Sequence, residues 1–138
     1  MTLAGAHKSG DLLAGFDRLV TQDRIEAYAR ASGDFNPIHI DAEFARNTQF
    51  GGRIAHGMLV LAFVSEMLAA NFPATWHRGG RMKVRFRSPV FPGETVTVFG
   101  EVTGVSGSGP DAVLELKIGC RKPDGSEAIS GEASVPAG

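Results

Sequence analysis

Residues 57–70 read GMLVLAFVSEMLAA, and Ser65 and Glu66 are the polar side chains in the run. A helix this apolar has almost no face to give to water, so a soluble chain must be built around it. The run is too short to cross a bilayer, which takes about 20 apolar residues. It predicts a core helix, and the rest of the sequence has to supply its cover.

That cover is legible downstream. After Pro73 the hydrophobic period changes, and RMKVRFRSPV, TVTVFGEVTGV, AVLELKIGCRK and AISGEASV read as strands. Pro92-Gly93, the SGSGP loop and Pro123-Asp124-Gly125 separate them as turns. Short connections of this kind favour an antiparallel meander over parallel crossovers. A further strand is expected within residues 12–20. QDRIEAYARAS reads as a helix capped by Thr21, with Ile25, Tyr28 and Ala29 on one face and Gly33 and Pro37 at its end. Asp41 can cap a short second helix, AEFARNT. The sum is an α+β fold in one domain over residues 1–138, an antiparallel sheet packed on a long central helix. Loose ends are expected at about 1–10 and 136–138.

Composition narrows the function classes. With 43% hydrophobic and 21% charged residues and a net charge of -1, the chain is neither a general nucleic-acid binder nor an anionic-membrane binder. The single cysteine, Cys120, has no internal partner, and the N-terminus lacks the apolar run of a signal peptide. A reducing cytoplasm is the expected compartment. No Gly-x-Ser-x-Gly, phosphate-binding or dinucleotide-binding glycine motif is present, and no Cys/His spacing suits zinc, so no metal is expected.

The stretch GDFNPIHID, residues 33–41, holds the side chains best suited to acid–base chemistry. On a continuous helix Asp34 and His39 would point roughly 140° apart. Asn36-Pro37 breaks the helix and forces a turn, which can bring the two to one side. The alternative is purely local: Asp34 closes the helix in a side-chain turn and His39 is an ordinary satisfied polar residue. Gly57 opens the apolar helix, where a free N–H at the positive end of the dipole suits a carbonyl oxygen gaining charge. It equally suits tight packing between helix and sheet. Ser65, roughly 12 Å further along the helix, can bond into a pocket or back to the carbonyl of Leu61. His56, beside the helix start, suits a structural cap; His7 and His77 read as bystanders. Arg81, Lys83, Arg85 and Arg87 alternate with apolar residues, giving one face of a strand four cations. Such a face is either simply solvated or a recognition patch for phosphates.

Taken together, YARASGDFNPIHIDAEFA and FGGRIAHGMLVLAFVSEML resemble the MaoC-like hydratases, the R-specific enoyl-CoA hydratases of the hot-dog fold. RMKVRFRSPVFPGETVTV also looks like that family. The resemblance implies a hot-dog domain and reversible hydration of trans-2-enoyl-CoA to (R)-3-hydroxyacyl-CoA. It places the catalytic pair on Asp34 and His39, the thioester-binding N–H on Gly57, and supporting roles on Asn36, Ser65 and His56. Coenzyme A would enter only as part of the substrate, with no other cofactor. Arg85 and Arg87 are then candidates for its phosphates, and Met58 and Phe63, with Leu61, Leu68 and Phe72, for the acyl tunnel. A homodimer or dimer of dimers is implied as well. Dehydration on acyl carrier protein, thioester hydrolysis through Glu66 and a non-catalytic subunit are the alternatives.

Overall fold

The alternating runs form one antiparallel sheet, and the apolar run lies across its inner face as a helix. A computed structural model of the protein describes residues 7–137. Strand β1 (Phe16–Leu19) is followed by helices α1 (Gln22–Ser32), α2 (Pro37–Ile40), α3 (Ala42–Arg46), α4 (Gly57–Asn71) and α5 (Trp76–Gly79). Strands β2 (Arg81–Phe86), β3 (Thr95–Ser106), β4 (Val113–Arg121) and β5 (Glu127–Pro136) complete the chain. No helix among the described residues is long and apolar enough to cross a membrane.

The sheet order is β1-β3-β4-β5-β2, with every neighbouring pair antiparallel. The expected meander therefore holds only for β3, β4 and β5. Strand β2 pairs with β5, Phe86 opposite Ile129, and not with the β3 that follows it in sequence. The cause lies in the connection. Pro92-Gly93 turns the chain toward β1, where Gly93 N–H bonds Val20 O at 2.7 Å and Val20 N–H bonds Glu94 O at 2.9 Å. Gly93 has φ 94°, a left-handed conformation that glycine adopts without strain.

Period-two patterning sorts the strands as expected. Val96, Val98 and Val102 of β3, Leu114, Leu116 and Ile118 of β4, and Ala133 and Val135 of β5 are buried. Against them lie Leu59, Val60, Phe63, Val64, Met67 and Leu68 of α4. Gly100 lets the helix come close: a Cβ there would sit 2.9 Å from Leu13 Cδ1 and 3.1 Å from Met67 Cε. The sheet covers one side of α4 only. Met58, Ala62, Glu66 and Ala70, one turn apart, form an exposed stripe. Glu66 is occupied there by Arg18 of β1, at 2.6 and 3.0 Å.

Of the expected loose ends, residues 1–6 and 138 lie outside the described residues. The others are tied down. Gly10 N–H bonds Val102 O at 2.7 Å, and Ala137 N–H bonds Ala112 O at 2.9 Å.

If the buried face of α4 holds the fold, Met67→Ala should cost about 2–5 kcal/mol. Glu66→Gln, which weakens a solvent-exposed ion pair, should cost about 0–1 kcal/mol. Urea denaturation compares them, and equal costs would refute the burial account.

Candidate active site

The local turn at residues 33–41 does two things at once. Gly33 ends α1 at φ 78°, its N–H bonded to Ala29 O. Asp34 then accepts the N–H of Asn36 on Oδ1 at 3.2 Å, the side-chain turn that its residue type favours. Asn36 in turn caps α2, its Oδ1 accepting the N–H of Ile38 at 3.2 Å, with Pro37 at the first helical position. The short helix begun by this cap carries His39 back toward Asp34. The structural turn and the convergence, opposed as readings of the sequence, are one arrangement.

A carboxylate oxygen of Asp34 and one ring nitrogen each of His39 and His56 lie within 4.8 Å of one another. Asp34 is exposed, His39 keeps 9% of its surface and His56 only 2%. His39 Nδ1 is 2.8 Å from the carbonyl oxygen of Ile54, a partner that can only accept. Nδ1 therefore carries the hydrogen, and Nε2 is left with the lone pair. Burial, the largest influence, pushes the His39 pKa below its ordinary value of 6.5; the Ile54 carbonyl and Asp34 oppose it. The imidazole is thus poised as a neutral base at neutral pH.

His56 has no side-chain bond to the helix it precedes. The expectation of a cap is corrected: its Nε2 reaches the main-chain oxygen of Asp34 at 2.9 Å, and its ring stacks on His39 with centroids 3.8 Å apart. Could the three residues hold an ion? The imidazoles are within 26° of parallel, so their in-plane lone pairs run side by side and do not converge.

Gly57 is the first residue of α4. It borders a cavity of about 300 Å³ lined by Ile54, Val60, Phe86, Arg87 and Ile129. A Cβ on Gly57 would lie 3.0 Å from the Phe86 ring, so glycine keeps this mouth open. Met58 is 57% exposed beside it. The other tunnel candidates sit elsewhere: Phe63, Leu68 and Phe72 are core residues, and Leu61 is half-buried. Ser65 lies away from the Asp34 cluster, and its Oγ accepts the indole N–H of Trp76 at 3.0 Å. Arg85 is exposed on the outer sheet face, in an open groove of about 650 Å³ with Lys83, Lys117 and Glu132. Arg87, whose Nε–H bonds Ser130 Oγ at 2.8 Å, borders both this groove and the Gly57 cavity.

Comparison with known proteins now decides the family. Residues 10–115 match the family model of the MaoC like domain. The chain belongs to the MaoC-like family. It is 37% identical over 111 residues to a protein of Aeromonas caviae named (R)-specific enoyl-CoA hydratase, spanning 80% of this chain and 81% of that one. It is 38% identical over 89 residues to a mitochondrial 3-hydroxyacyl-[acyl-carrier-protein] dehydratase of Arabidopsis thaliana, 64% of this chain and 52% of the relative. The solved (R)-hydratase from A. caviae involved in PHA biosynthesis superimposes with a TM-score of 0.82 at 31% identity, covering 95% of this chain and 97% of the other. The MaoC-like chain thus has the hot-dog fold that its motifs implied.

Replacing the cap that starts α2 should be measurable without touching the reacting groups. Asn36→Ala should lose about 1 kcal/mol of stability, whereas Asn36→Asp keeps an acceptor and should stay near wild type. Thermal denaturation distinguishes them; an undiminished alanine variant would show that the cap does not hold this turn.

Proposed function

We propose that the chain is a hydro-lyase that adds water across trans-2-enoyl-CoA to give (R)-3-hydroxyacyl-CoA, and catalyses the dehydration in reverse. The observation that carries this reading is the convergence of Asp34 and His39 beside the N-terminus of α4. In an enoyl thioester the carbonyl withdraws electrons from the double bond, so C3 is electrophilic and charge builds on the thioester oxygen. The N–H of Gly57, backed by the helix dipole, is suited to that oxygen; one such donor contributes roughly 3–4 kcal/mol. A water held between Asp34 and His39 Nε2 gives its proton to this pair as its oxygen bonds C3. The same pair returns a proton to C2, which closes the balance without a resident cofactor.

Coenzyme A as the carrier is favoured by the basic groove. Lys83, Arg85, Arg87 and Lys117 line it, and Arg87 links it to the cavity beside Gly57. Those cations are suited to a ligand's phosphates. Dehydration on acyl carrier protein is the second reading, favoured by the name of the Arabidopsis relative. Thioester hydrolysis is disfavoured because Glu66, the carboxylate of α4, is engaged by Arg18. A homodimer fits the apolar surface: Phe35 and Phe86, 59% and 55% exposed, border Asp34 and Gly57 and call for cover. Sedimentation at the mass of a single 14.6 kDa chain would refute it. The lone, buried Cys120, its thiol pushed up to about 12 by burial, suits a reducing cytoplasm.

Hydration of crotonyl-CoA, followed by loss of enoyl absorbance, tests the reading. Asp34→Asn and His39→Ala should each lose about 10²–10⁴-fold in kcat with unchanged circular dichroism. Near-normal rates in both would overturn the assignment. Activity needs the unprotonated His39, whose pKa is lowered, so the acid limb of kcat/KM should have its midpoint below the ordinary 6.5. A midpoint above pH 6.5 would contradict the burial of that ring.

A further inference from the structure

The hydration chemistry assigns work to Asp34, His39 and Gly57 and leaves none for His56, the most buried polar side chain of the cluster. Its surroundings are specific. Tyr28 of α1 packs on its ring at 4.8 Å, tilted 59°, while His39 stacks on it at 3.8 Å. Its Nε2 lies 2.9 Å from the Asp34 carbonyl oxygen, an acceptor, so Nε2 carries the hydrogen. Nδ1 is buried with no hydrogen-bond partner among the described residues. His56 also immediately precedes Gly57, the residue whose N–H faces the thioester oxygen in the proposed reaction.

Asp34 has little else to hold it. Its N–H bonds Ser32 Oγ at 3.2 Å, and its carboxylate accepts Asn36 N–H at 3.2 Å, both within its own turn. The bond from His56 spans 22 residues and joins this turn to the start of α4. Through it, the water-holding side of the site and the oxyanion side are one peptide unit apart. Catalysis by orientation is sensitive to such links, since a misplacement of about 1 Å can cost roughly 10²-fold in rate.

We propose that His56 is the positioning residue of the site, its Nε2–H clamping the Asp34 main chain and its ring backing His39, so that both reacting groups keep their distance from the Gly57 N–H. The inference rests on the hydratase reading for its kinetic consequences but not for its geometry. His56 touches neither water nor substrate; it acts through Asp34 and His39.

Two variants separate the bond from the stack. Glutamine places an amide N–H close to where histidine carries Nε2–H, so His56→Gln keeps the donor and loses the ring. His56→Phe keeps the ring and loses the donor. With crotonyl-CoA, His56→Phe should lower kcat about 30-fold, with KM within about threefold of wild type, because alignment and not affinity is lost. His56→Gln should recover at least tenfold of that loss. A phenylalanine variant with normal kcat, or a glutamine variant no better than phenylalanine, overturns the proposal. Should His56→Phe fail to fold, His56→Gln decides alone: kcat within tenfold of wild type supports the clamp, and a larger loss refutes it. Nitrogen-15 NMR of the wild-type imidazoles adds a readout independent of turnover. His56 should be the Nε2–H tautomer and His39 the Nδ1–H tautomer; the reverse for His56 removes the clamp. If the wild-type chain hydrates no enoyl thioester, the function fails while the tautomers still test the arrangement.

Discussion

Everything in this fold follows from covering helix α4. Its buried face carries Leu59, Val60, Phe63, Val64, Met67 and Leu68, each worth roughly 1.5–3 kcal/mol when removed from water. A sheet curved over that face is the cheapest cover, because alternate residues of every strand point the same way. Gly100 removes the side chain that would hold the helix off the sheet. Once the body of α4 is fixed, its N-terminus is fixed too, and its unpaired N–H groups face the loops that precede it.

Those loops are joined to α4 by bonds to main-chain groups. Ala55 N–H bonds Val90 O at 2.8 Å, bringing in the crossing segment after β2. Ile54 N–H bonds Ile38 O at 3.2 Å while its own carbonyl holds the His39 ring. His56 reaches the Asp34 carbonyl. Three consecutive residues, Ile54 to His56, thus bind both the turn at 33–41 and the segment after β2, and Gly57 follows directly. The rigid core sets where the Gly57 N–H stands, and this short strip sets where Asp34 and His39 stand relative to it.

This division explains what could be read in the sequence. Apolar run, alternating strands, Thr21 cap and Gly33 stop are side-chain or glycine signals, and each stands where the sequence put it. So do Asp34 and His39, because Pro37 left the chain only a turned route between them. What escaped was settled by partners distant in sequence, which local spacing does not announce. His56 looked like a cap because the carbonyl it serves lies 22 residues away. Ser65 found Trp76, a partner eleven residues on, where helical spacing offered Leu61. Strand β2 could not be placed beside β5 from turn lengths, since the Pro-Gly turn after it docks on β1.

The two stacked imidazoles also have opposite tautomers, and the opposition is instructive. Each ring donates one N–H to a carbonyl, His39 from Nδ1 to Ile54 and His56 from Nε2 to Asp34. The nitrogen left over on His56 is buried, whereas the one on His39 is the lone pair suited to a substrate water. A protein interior tolerates two such rings at 3.8 Å because each has its orientation fixed by a separate main-chain oxygen. Asp34 is divided in the same way. Its carbonyl is bonded into the scaffold and its carboxylate is left at the surface, so one residue can be held firmly and still present an exposed acidic group.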